Sequence, residues 1–211
     1  MPLKNSKRFK EKIKDAAAET NLARRGVKIA SVIAEALRTI DQDPILVGGA
    51  AVEFYTEGQY ATSDIDMLAP GGPELWETMK ELGFERRGKD FINKELELYV
   101  EFPGYGLKEE KSDTLNIDGI LLQIISREDL IVDRLASYKF WKMALDGLNA
   151  LLLLEQGEWD PERLQKRARQ ENVLDALEWI EKIYQEIARK KLDKKEATQR
   201  LQEWLRKKHL P

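Results

Sequence analysis

The 211-residue chain contains no cysteine and a single histidine, His209. The first absence excludes disulfides, thiolate zinc sites and a cysteine nucleophile, and argues against an oxidising, secreted scaffold. The second disfavours a buried histidine base or a polyhistidine metal centre. Long apolar runs are missing as well: the longest spans residues 150 to 154, against about 20 residues for a membrane span. The Lys- and Glu-rich start has no signal-peptide apolar region. These absences lead to the expectation of a cytoplasmic protein with no membrane association, whose chemistry rests on carboxylates.

Hydrophobic residues make up 42% of the chain and charged residues 35%, which places it among folded proteins with a real interior. The net charge of -3 hides an asymmetry. Basic residues outnumber acidic ones by 10 to 4 in residues 1 to 40 and by 14 to 9 in 161 to 211, whereas residues 41 to 160 hold 11 basic and 25 acidic side chains. An acidic middle favours metal cations or basic partners, and basic ends could meet polyanions. The basic segments 4 to 28 and 189 to 208 carry Phe9 and Trp204 as their only aromatics, so specific single-strand recognition is not expected from them.

Periodicity predicts helix over residues 6 to 40, with a break near Gly26. Residues 44 to 47 read as a short buried strand that stops at Gly48-Gly49 before a helix from Ala50 to about Tyr55. A strand over Asp64 to Leu68, a helix opened by Pro73, a hairpin in residues 84 to 93 and a half-exposed strand in residues 95 to 102 follow. Residues 103 to 113 read as a loop, and residues 119 to 125 as the last strand. Helices then take over, with Ser126 and Asp129 in a capping pattern and Asp160-Pro161 opening a later helix. The expected fold is α/β (α+β), a mixed β-sheet flanked by helices with a helical C-terminal part. The expected divisions are a helical segment (1–40), an α/β core (41–126) and the helical part (127–211).

The chemistry concentrates in Val47-Gly48-Gly49 and Asp64-Ile65-Asp66-Met67. On a strand, Asp64 and Asp66 project to one face roughly 6 to 7 Å apart. Two carboxylates that close repel unless a cation is shared, and Mg²⁺ is the natural partner for hard oxygen ligands that also meet phosphate. Gly48 and Gly49 have no Cβ, so a polyphosphate could approach the backbone and the following helix N-terminus. Either element alone is weak evidence, and their combination is more specific.

These motifs resemble the nucleotidyltransferase superfamily typified by DNA polymerase β, especially small prokaryotic nucleotidyltransferase-like proteins related to AbiEii-type toxins. Val47-Gly48-Gly49 and the Asp64–Asp66 pair match its first two elements, and the third carboxylate of that pattern falls on Glu101, with Glu97 as the alternative. The likeness extends through Glu128, Asp133-Arg134 and Lys142, and covers about residues 44 to 155. The sequence departs from many relatives in carrying Gly49 for Ser, Tyr60 for Arg and Arg134 for Lys.

The resemblance implies two Mg²⁺ ions on Asp64, Asp66 and Glu101, and a nucleoside triphosphate (NTP) substrate at Gly48 and Gly49. It also implies that Arg134 and Lys142, at i and i+8 of one helix, contact phosphate or base. Their alternative reading is surface cations paired with Asp133 or Asp146. The implied reaction transfers a nucleoside monophosphate to a hydroxyl on RNA, protein or a small molecule. The competing reading is a catalytically silent nucleotide- or nucleic-acid-binding member, possibly within a toxin–antitoxin pair. Trp141 is expected to pack into a core.

Overall fold

The computed structural model describes residues 6–104, 106, 110–189 and 192–207; His209 lies outside them. The chain divides into two compact units, Met1–Ser126 and Arg127–Pro211.

The first unit opens with helices α1 (Ser6–Ala17) and α2 (Leu22–Leu37). The break between them falls at residues 18 to 21, where the Asn21 side chain accepts from the Arg24 N–H and caps α2. Gly26 therefore lies inside α2 rather than between segments. A Cβ there would meet Ala50 Cβ at 3.5 Å, ordinary contact distance, so this glycine marks a close helix crossing.

After a single 3₁₀ turn at Arg38–Ile40 the chain enters β1 (Ile45–Val47), α3 (Gly48–Tyr55), β2 (Asp64–Leu68) and α4 (Pro73–Glu81). The expected hairpin is β3 (Glu85–Arg87) with β4 (Asp90–Asn93). Three further strands follow: β5 (Leu98–Glu101), β6 (Ser112–Ile117) and β7 (Ile120–Ile125). The strand expected over residues 95 to 102 shortens to β5, because residues 94 to 97 form the turn from β4. Conversely, β6 begins inside the stretch expected to be loop. As an edge strand beside β7 it shows mostly exposed side chains, so it lacks the apolar alternation that betrays a strand.

The strands form one mixed sheet in the order β3-β4-β5-β2-β1-β7-β6, with β2–β5 and β1–β7 parallel and the other pairs antiparallel. Alternation gives the sheet two unlike faces. Leu46, Met67, Val100, Leu122 and Ile124 are buried on one face, where α2 packs on β7 and α3 on β2. Asp64, Asp66, Tyr99 and Glu101 lie on the other, all at least partly exposed.

The second unit is helical: α5 (Arg127–Phe140), α6 (Ala144–Glu155), α7 (Pro161–Gln170), α8 (Leu174–Ala188) and α9 (Lys194–Lys207). Asp160 caps α7 as expected, accepting from the Glu162 and Arg163 N–H groups. Asp129 has a different role from the expected cap. Its buried carboxylate accepts from Arg167 Nε at 2.7 Å and from Arg163, tying α5 to α7. Gly147 lets α6 press on α5, since a Cβ there would lie 2.7 Å from Tyr138 Cδ2. Tyr138 in turn stacks on Trp204 with centroids 5.1 Å apart and donates to the Leu201 carbonyl, which anchors α9.

Candidate functional site

Strand register brings the expected carboxylates together on the open sheet face. Parallel pairing sets Asp66 of β2 beside Glu101 of β5 and Asp64 beside Tyr99. Antiparallel pairing continues the row, with Val47 opposite Asp66 on one side and Asp90 opposite Glu101 on the other. Directly paired residues share a face, so Asp90, Glu101 and Asp66 form one acidic line across three strands, and Asp64 sits two residues from Asp66 on that face. Asp90 was not anticipated: a short hairpin next to an acidic residue is common, and the row exists only through the register of β4, β5 and β2. Glu97 is set apart from this row. It occupies the turn before β5 with a left-handed φ of 52°.

Gly48 touches the same row. Its φ is +64°, and a Cβ would stand 2.1 Å from Asp66 Oδ2 and 2.9 Å from Asp66 Cβ. Both the backbone conformation and the space therefore require glycine. Gly49 is tight for another reason, because its Cβ would lie 3.0 Å from Thr62 Oγ1. Thr62 belongs to the segment that delivers Asp64: Thr62 Oγ1 accepts the Asp64 N–H at 3.3 Å, and Ser63 Oγ donates to Asp64 Oδ1 at 3.1 Å. Behind it, the buried Glu53 carboxylate on α3 accepts the Thr62 N–H. Burial pushes the Glu53 carboxyl up, against the lowering effects of that hydrogen bond and of the Arg25 charge. The sequence gives no sign of this buttress, since Glu53 looks like any solvent-facing glutamate of an amphipathic helix.

A lysine answers the acidic row. Lys89 Nζ donates to Glu101 Oε1 at 2.8 Å. Its pKa is raised first by that hydrogen bond and the Glu101 charge, then, against a desolvation penalty, by the charges of Asp90 and Asp66. The ammonium is bonded to Glu101 and feels the charges of Asp90 and Asp66 beside it. Among the described residues no group of three or more Asp, Glu or His converges as a ready-made metal cage. The row is an acidic platform carrying a tethered cation.

The two expected cations of the helical unit are arranged differently from expectation. Arg134 on α5 bonds Asp146 Oδ1 at 3.0 Å and also Asp133. Burial opposes its charge, but these two carboxylates together hold the guanidinium above its ordinary pKa. Lys142 does not continue α5: the helix ends at Phe140, and Lys142 sits in the following turn with φ +59°. The two side chains therefore do not share a helix face. Trp141 in that turn is 78% exposed and packs in no core, contrary to expectation.

No family model matches the chain, and no curated protein matches it. Among solved structures, its fold is similar to that of an antigenic nucleotidyltransferase-like protein from Paracoccidioides brasiliensis. The TM-score is 0.51 at 17% identity, over 75% of this chain and 92% of that one. At that identity the likeness establishes the architecture alone: a mixed sheet with flanking helices in a nucleotidyltransferase-like fold.

Proposed function

We propose that this protein is a divalent-metal-dependent nucleotidyltransferase that moves a nucleoside monophosphate from an NTP to a hydroxyl acceptor. The observation that carries the reading is the register pair Asp66–Glu101 with Gly48 packed against Asp66. The donor set fits Mg²⁺: the oxygens are hard carboxylate donors beside a glycine turn. Asp64, Asp66 and Glu101 would hold the metal, which when bound neutralises charge developing on the polyphosphate and lowers the pKa of an acceptor hydroxyl.

The chain's own contributions follow from position. The missing Cβ atoms of Gly48 and Gly49 admit Asp66 and Thr62, which sets the carboxylate row against the start of α3, where helix N–H groups favour phosphate charge. Thr62, Ser63 and Glu53 fix the backbone that presents Asp64, which reduces the reorganisation needed when ligand arrives. Lys89 keeps Glu101 oriented on β5 and yields when a stronger cation enters. In this reading the catalytic core spans residues 41–126, with helical flanks. Arg134 is a brace between α5 and α6 rather than a phosphate contact, because two carboxylates already engage it.

One observation favours the silent-binder reading: the Lys89 ammonium is bonded to Glu101, one of the three carboxylates that would hold the metal. Thermal unfolding with ATP, CTP, GTP or UTP, with and without Mg²⁺, separates binding from its absence, since a ligand of the native state raises its stability. Asp64→Asn with Asp66→Asn removes the shift if the row holds the metal. Labelled transfer from α-labelled NTP into a total RNA and protein extract then separates turnover from silent binding. The relation to AbiEii-type toxins belongs to the same proposal. It requires growth arrest on expression of the wild type but not of the double Asn variant.

A further inference from the structure

Four of the chain's large exposed apolar side chains fall within six consecutive residues: Phe140 at 53%, Trp141 at 78%, Met143 at 50% and Leu145 at 53% exposed. They lie at the turn between α5 and α6, Phe140 closing α5 and Leu145 in the first turn of α6. The turn stands on a rigid base, not on a loose loop. Its Trp141 and Met143 N–H groups bond back to the Ser137 carbonyl, while Tyr138 is clasped by Gly147 and Trp204 beneath. An apolar group held out in a fixed position by a packed base is a feature of binding surfaces.

The surroundings state what chemistry would bind. Beside the turn lies a hollow of about 390 Å³ lined by Lys142, Ala144, Gln202, Leu205 and Arg206, with no carboxylate among them. Residues 139 to 145 contain two lysines and no acid. Lys139 stands 5.4 Å over the Phe140 ring while its ammonium is bonded to Asp175. Lys139 is thus already neutralised, and the cations beside the exposed aromatic faces in a lining without carboxylates are Lys142 and Arg206; such a surface complements a ligand that is planar and anionic at repeating intervals.

We propose that the α5–α6 turn and the C-terminal end of α9 form a single-stranded RNA-binding site, with bases stacking on Trp141 and Phe140 and phosphates meeting Lys142 and Arg206. Stacking on an exposed aromatic requires unpaired bases, so the site selects single strands over duplex. The inference lies within the helical unit and does not require turnover at the acidic row.

The test is fluorescence anisotropy of the full-length protein with a labelled single-stranded RNA of about 12 nucleotides, a span of the size that stacking grooves cover. The same RNA as a duplex is the comparison. The wild type binds the single strand more tightly, Trp141→Ala weakens it by about tenfold or more, and Trp141→Phe restores most of the affinity. Lys142→Ala with Arg206→Ala lowers the slope of log affinity against log salt by roughly 1.4, the share of two single-strand phosphates. Unchanged affinity in Trp141→Ala, or equal binding of duplex, overturns the proposal. So does self-association of the wild type in sedimentation that Trp141→Ala abolishes without any RNA binding, because the turn is then an interface between copies. Since NTP-dependent stabilisation is measured separately, failure here leaves the catalytic reading standing, and the reverse also holds.

Discussion

Asp66 and Glu101 lie 35 positions apart in sequence, yet they are direct neighbours in parallel register, with Lys89 bonded to Glu101 beside them. A salt link at that position makes the lysine a competitor for any incoming cation. Lys89→Gln removes the competitor while leaving Asp66 and Glu101 in place. The expected result is Mn²⁺ binding, followed by electron paramagnetic resonance of the free ion, that tightens about twofold to fivefold, the modest scale of a solvent-exposed pair. Weaker Mn²⁺ binding in the variant would mean that Lys89 organises the row and does not compete for it.

Gly48 and Gly71 both adopt positive φ, +64° and +78°, but only Gly48 faces a neighbour. Gly71→Ala meets open space and carries backbone strain alone, about 1 kcal/mol. Gly48→Ala adds a clash with the Asp66 carboxylate, so its loss in urea unfolding should be at least about twice as large. Metal-dependent stabilisation by NTP should disappear in Gly48→Ala and persist in Gly71→Ala. Equal unfolding losses would show that the Asp66 side chain moves aside at little cost.

The parts of this site readable from the sequence are those set by local periodicity. Asp64 and Asp66 share a face because strands alternate, and the glycine turn precedes a helix because Ile45 to Val47 is apolar and short. The choice between Glu97 and Glu101 was open at that level, since an alternating strand over residues 95 to 102 presents both alike. The structure places Glu101 beside Asp66 and leaves Glu97 apart, through a turn that ends at Glu97 and pairing with a strand distant in sequence. Lys89, Asp90 and Glu53 enter through the same non-local pairing and burial. The RNA surface escaped for a related reason: its aromatics lie in an acidic-to-neutral middle segment and one of its cations in the basic end, and only the fold joins them.

In the helical unit, Asp129 is fully buried at its side chain and faces Arg167, itself 4% exposed, and Arg163. Deleting this buried anion leaves Arg167 with the partly exposed Glu171 at 3.2 Å in place of its buried counter-ion, a change that costs about 3–5 kcal/mol. Asp129→Ala should therefore lower the unfolding temperature by roughly 6 °C or more for a chain of this size. The removal of an exposed partner, such as Glu77 beside Lys80, should cost little. A loss for Asp129→Ala within the range of that control would show that water reaches the cluster and screens it.

Glu53 links stability to pH. Its carboxyl is raised above the ordinary value of 4.5, first because burial disfavours the charge, with the Thr62 N–H and Arg25 recovering part of the cost. A folded-state pKa above the unfolded one means that the native state holds the proton longer. The stabilising contribution is complete below the unfolded pKa and is lost as pH rises through the folded pKa. Glu53→Gln keeps an acceptor for the Thr62 N–H but cannot ionise, so it should match the wild type below the ordinary glutamate range. Above it, the unfolding temperature of the variant should exceed that of the wild type, by a gap that widens with pH and then levels off. Thermal unfolding of both proteins across the acidic to neutral range measures the gap directly. A gap that is constant, or that turns in favour of the wild type at neutral pH, would mean that the Arg25 charge outweighs burial and that the ionised carboxylate is the form that holds Thr62, and through it Asp64, in place.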